Sequence, residues 1–123
     1  MRQVLIAALL SLLGCPSGNS AEWNMPGVLS PEGWAKARVV EFDFGPGERH
    51  SQVLISFDGG VCGSGSVSAD GIDLGLQLAW VDATTLEVAH PADVALEPAP
   101  AARELPSRHQ CGDRVVWVQS RRL

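Results

Sequence analysis

From Lys36 onward the chain repeatedly alternates apolar and polar positions with a period of two and has no long stretch of helical period. Arg38 to Phe44 sets Val40, Phe42 and Phe44 on one face and Val39, Glu41 and Asp43 on the other. Gly45-Pro46-Gly47 breaks that strand, and Gln52 to Phe57 resumes it with Val53, Ile55 and Phe57 on one face. After the turn Asp58-Gly59-Gly60, Val61 to Ser68 reads as a Gly/Ser strand or loop, closed by Ala69-Asp70-Gly71. The longest alternation follows. Ile72, Leu74, Leu76, Leu78 and Trp80 face away from Asp73, Gly75, Gln77 and Ala79, which predicts a half-buried strand with Leu76 and Leu78 inside and Gln77 outside. Asp82-Ala83-Thr84 turns the chain. Thr85 to His90 then repeats the alternation through Leu86 and Val88, so the two segments predict a hairpin that Pro91 ends.

Ala92 to Gln110 reads as a long irregular piece, punctuated by Pro98, Pro100 and Pro106. The last strand is Arg114 to Ser120, where Val115 and Trp117 oppose Val116 and Val118. Glu22 to Trp34, with Pro26, Gly27, Pro31 and Gly33, also reads as irregular, with at most one helical turn begun by Ser30-Pro31. Five to six short strands and almost no helix predict an all-β fold, a small antiparallel meander or sandwich.

The amino terminus follows another logic. Met1-Arg2-Gln3 carries one positive charge, and Val4 to Leu13 is apolar apart from Ser11. That order is the signature of a secretory signal peptide, assigned to residues 1–14. The run is too short for a membrane span, which needs about 20 apolar residues. Its end, Leu12-Leu13-Gly14-Cys15, resembles a bacterial lipobox, in which the Cys becomes the lipid-modified first residue of the mature protein. The rival reading is cleavage after Ser20, with small Gly18 and Ser20 flanking Asn19. On the lipobox reading residues 15–35 are a lipid-anchored tether and irregular lead, and residues 36–123 are the β domain.

Composition sharpens this picture at two points. The formal charge is −5, or −6 without Arg2, and Lys36 is the single lysine. Neither a nucleic-acid footprint nor a basic patch for anionic lipid is expected. The cysteines are three, at 15, 62 and 111. Both cleavage readings remove Cys15 from the thiol count, leaving Cys62 and Cys111 to pair as a disulfide in an oxidising compartment.

The stretch Trp80-Val81-Asp82-Ala83-Thr84-Thr85-Leu86-Glu87-Val88, preceded by the Gly-rich Cys62 loop, resembles small exported β proteins and lipoproteins of bacteria whose roles are uncharacterised. The resemblance covers the middle third of the chain and implies a fold type and an envelope location, not an activity.

Candidate chemistry is sparse. Cys62-Gly63-Ser64 resembles the start of a papain-like signature, but Gly65-Ser66-Val67 and a turn follow where the thiolate needs a helix N-terminus, and Ser56 stands where the oxyanion-binding glutamine belongs. Cys62, His109 and Cys111, with His50, are donors suited to zinc or copper, yet His109-x-Cys111 matches no strong metal motif. Ser64 and Ser66 lack the Gly-x-Ser-x-Gly elbow of a serine nucleophile, and Gly59-Gly60-Val61-Cys62-Gly63 lacks the Lys-Ser/Thr of a phosphate loop. Asp70 and Asp73 read as turn chemistry rather than calcium ligands. His50, His90 and His109 stand beside turns or prolines, where solvated histidine is expected. Trp80 belongs with the core leucines, while Trp23 and Trp34 either cap the sheet or bind a partner. The resulting expectation is a non-catalytic domain without cofactor or metal, anchored to the envelope membrane by its lipid. It would bind another envelope protein or support envelope structure. An inhibitor of a secreted hydrolase is the alternative, and an enzyme of unknown type the least favoured.

Overall fold

The computed structural model describes residues 21–63, 67–98 and 105–123. The signal peptide, the lipobox and Cys15 lie outside the described residues, as do Ser64, Ser66 and the side chain of Trp23.

The described residues form eleven strands and no helix, so the all-β class holds. They are β1 Ala21–Asn24, β2 Val28–Leu29, β3 Ala35–Asp43, β4 Arg49–Phe57, β5 Gly60–Val61, β6 Val67–Asp70, β7 Gln77–Asp82, β8 Thr85–His90, β9 Glu97–Pro98, β10 Ser107–Cys111 and β11 Arg114–Arg122. The first sheet runs β1-β3-β4-β6-β9, with β2 added to β3 and β5 to β4. The second runs β10-β11-β8-β7.

The two sheets enclose one core. Ala35, Ala37, Val39, Val53 and Ile55 come from the first sheet, and Leu86, Val88, Val116 and Val118 from the second. Each set is spaced two apart, which is how a period-two sequence delivers one face of each sheet to a shared interior. Two indoles tie the layers together. Trp34 Nε1 donates to Ala83 O at 2.9 Å, and Trp80 Nε1 donates to Val28 O at 2.9 Å. Trp34 is thus a half-buried cap, with the Arg114 guanidinium 4.7 Å above its ring.

Several expectations need correction. Of the two forms expected the architecture is the sandwich, and only the pairing of β11 with β8, parallel from Trp117 opposite Thr85 through Arg122 opposite His90, departs from an antiparallel arrangement. The strand expected over Ile72 to Trp80 begins only at Gln77. Gly71, Asp73 and Gly75 have φ of 99°, 54° and 74°, a left-handed backbone that no strand can contain. Burial nevertheless alternates as expected, with Leu74, Leu76, Leu78 and Trp80 half-buried and Gln77 and Ala79 exposed. The lead over Glu22 to Trp34 is not irregular. It supplies β1 and β2, both paired with β3, joined to that strand by a turn in which Gly33 N–H donates to Ser30 O. Ala92 to Gln110 likewise contains β9, paired with β6, and β10, paired with β11.

At one end of the sandwich two polar side chains point inward. Glu41 and Ser51 face each other across β3 and β4. Glu41 Oε2 accepts the Asp73 N–H at 2.6 Å, and Ser51 Oγ donates to Gly71 O at 2.8 Å. These bonds hold the left-handed turn that delivers β7, and they satisfy groups that burial would otherwise leave unpaired.

Candidate functional site

Cys62 and Cys111 form a disulfide, with sulfurs 2.08 Å apart and Cα atoms 4.2 Å apart. Cys62 follows β5 of the first sheet and Cys111 ends β10 of the second, so the bond staples the layers at one edge. Beside it, Gly63 N–H donates to Gln110 O, and a Cβ on Gly63 would meet that carbonyl oxygen at 3.0 Å. Both half-cystines are buried, and their sulfurs are engaged with each other rather than with a metal. Among the described residues no three His, Cys, Asp or Glu side chains gather as a metal site.

The three histidines have separate environments. His50 lies on the outer face of the first sheet, stacked on Phe42 at 4.7 Å between centroids. His90 Nδ1 is 2.9 Å from Pro91 O. His109 is not solvated, as its position beside the Pro-rich stretch led one to expect. It is 5% exposed, and its Nε2 lies 2.8 Å from Ser107 Oγ. A serine beside an imidazole has the composition of a nucleophile and its base. Here, however, Ser107, His109 and Cys111 are the inward row of β10, buried between the sheets. The contact pairs two buried polar groups.

Open hollows lie on the surface, among them two that hold histidines. One, of about 320 Å³, is lined by Phe44, Arg49, His50, Gln52, Asp70 and Glu97 on the outer face of the first sheet. The other, of about 350 Å³, lies between the segment after β8 and the end of β11, with His90, Asp93, Leu96, Leu105 and Arg122 in its wall.

The outer face of the second sheet is different in kind. Trp117 is 43% exposed near its centre, with Arg108 on β10 and Thr85 on β8 as cross-strand neighbours. Polar groups on both sides are already ordered. Gln110 Nε2 donates to Gly112 O at 2.8 Å and to Arg114 O at 3.1 Å, and its Oε1 accepts from Arg108 at 2.9 Å. On the other side Arg121 Nε donates to Glu87 at 2.8 Å and Gln119 Nε2 to the same carboxylate at 3.4 Å. These contacts hold the Glu87 carboxyl below its ordinary range, the Arg121 hydrogen bond most of all.

Pattern reading passed over this face. In Val115-Val116-Trp117-Val118 both faces of the strand are apolar, so alternation does not tell which one is outside. A charge count does carry a signal. Five of the nine Lys and Arg lie in residues 103–123 beside two carboxylates, so this stretch carries +3 and the remainder −8, for the net −5. When compared with family models, with curated proteins and with solved structures, the chain matches none.

Proposed function

We propose that the chain is an exported lipoprotein, a non-catalytic binding domain held to the bacterial envelope by lipid on Cys15 and recognising another envelope protein. The Cys62–Cys111 disulfide carries this reading. With Cys15 set aside at the end of an apolar run, the two remaining thiols are paired with each other, the state an oxidising compartment maintains. A binding rather than catalytic role fits the burial of the Ser107–His109 pair. For the protein partner we favour the Ala92 to Gln110 stretch, whose described parts β9 and β10 pair into the first and second sheets. A segment tied at both ends loses less entropy when a partner binds.

Fractionation of cells, with mass spectrometry of the mature N-terminus, tests the anchor. The protein is expected in the membrane fraction, and Cys15→Ser is expected to release it or to leave the precursor uncut. A mature chain starting at Ala21 would overturn lipidation, and residence in the cytosol would overturn export as well. Deletion of Pro98 to Ala102 is expected to lose partners captured from the envelope. Their full retention would remove that stretch from the binding surface.

A further inference from the structure

We propose that the outer face of the second sheet, centred on Trp117, binds an acidic saccharide. This goes beyond the envelope reading and does not depend on it.

An indole that is 43% exposed in the middle of a sheet presents a flat apolar ring to solvent with a polar N–H at its edge. Its surroundings select what it binds. The residues around it are Arg108, Gln110, Thr85, Gln119 and Glu87, with half-buried Val115 as the apolar exception. A protein partner wants a contiguous apolar centre depleted of charge. The patch offers one aromatic side chain ringed by charged and amide groups. A pyranose matches that arrangement. It has a C–H face about the size of one aromatic ring and a rim of hydroxyls that both donate and accept. Arg108 supplies donors, Glu87 acceptors and Gln119 both, while Gln110, whose two N–H groups are taken by backbone carbonyls, offers its Oε1.

Preorganisation strengthens the argument. Gln110 is fixed by the carbonyls of Gly112 and Arg114, and it fixes Arg108 in turn. Glu87 is fixed by Arg121 and Gln119. Side chains already immobile lose little entropy on binding. Charge then selects among sugars. On the outer rows of β8, β10 and β11 Arg108 and Arg121 stand against the single carboxylate Glu87, a small positive surplus on a chain of −5. Among the described residues Arg108 has Gln110 Oε1 as its partner, which leaves further donors of a planar fork suited to a carboxylate.

Calorimetric titration of the purified protein tests the proposal with three probes. They are a short oligogalacturonate, a neutral cello-oligosaccharide of equal length, and polyglutamate. The oligogalacturonate is expected to bind tightest. Trp117→Ala is expected to weaken it roughly tenfold or more, and Trp117→Phe to restore part of the loss. Arg108→Gln is expected to weaken uronate binding and flatten its salt dependence, while Glu48→Gln, in the turn between β3 and β4, leaves it unchanged. Matching melting temperatures establish that the variants are folded. Absence of oligogalacturonate binding, or binding unaffected by Trp117→Ala, overturns the site. Equal binding of polyglutamate reduces it to unspecific charge, and equal binding of the neutral oligosaccharide overturns the acidic assignment. A cytosolic location would sink the envelope reading and leave this one standing.

Discussion

At the scale of residues, the fold rests on side chains whose burial the alternation foretells and on a few polar ones it does not. Leu86 is fully buried, so Leu86→Ala is expected to cost about 2–5 kcal/mol in denaturant unfolding. Half-buried Leu76→Ala should cost less, and exposed Gln77→Ala next to nothing. Equal losses at Leu76 and Gln77 would contradict the two-faced arrangement. Two carboxylates make a second prediction. Asp43 is held below its ordinary value chiefly by the Arg49 side chain and then by the Gly45 N–H, and Glu87 chiefly by Arg121. A lowered folded-state value favours the charged form in the fold. Each group therefore contributes stability at pH above the ordinary carboxylate range, and that contribution disappears as pH falls through the lowered value. Melting temperatures of Asp43→Asn and Glu87→Gln should lie below the parent's at neutral pH and converge with it in acid. An unchanged gap at low pH would refute the linkage. Glu41 shows where reading the sequence stops. Its place on the inner face follows from alternation, but its partner, the Asp73 N–H, is 32 residues away and reachable because Asp73 has a φ of 54°. Nothing local to Ile72-Asp73-Leu74 separates that turn from a strand.

Among elements, legibility tracks the chemistry of the inward row. β3, β4 and β8 send mostly Val, Ile, Leu or Ala inward and stand out as alternations, whereas β11 is apolar on both faces and shows a strand without showing its inner side. β10 sends Ser107, His109 and Cys111 inward, so a scan for apolar residues at every second position passes over it. β2 and β9 are two residues each, shorter than any period can show, and are strands because a neighbour pairs with them. The parallel match of β11 with β8 is a product of layer packing and has no local signature. The disulfide was legible from counting alone. The bond spans 49 residues, and loop-closure entropy assigns it about 4 kcal/mol. Cys62→Ser with Cys111→Ser is therefore expected to lower unfolding free energy by an amount of that order, read by chemical denaturation without reductant. A double variant as stable as the parent would mean that native strain cancels the gain.

For the whole molecule, the candidate surface was half legible. The concentration of arginine near the carboxyl end is written in the sequence, whereas the exposure of Trp117 depends on which side of β11 the first sheet covers. That strand has a further consequence. β11 stands inside the second sheet, with β10 on one side and β8 on the other, yet it is the last strand along the chain. A chain delivered from its amino end therefore presents β7 and β8 well before the strand that joins them to β10 exists. Until β11 arrives, the second sheet is a hairpin with a missing neighbour, and the first sheet has little to close upon. Closure of the two layers on each other therefore waits on β11, however much of the chain before it is already free to pair.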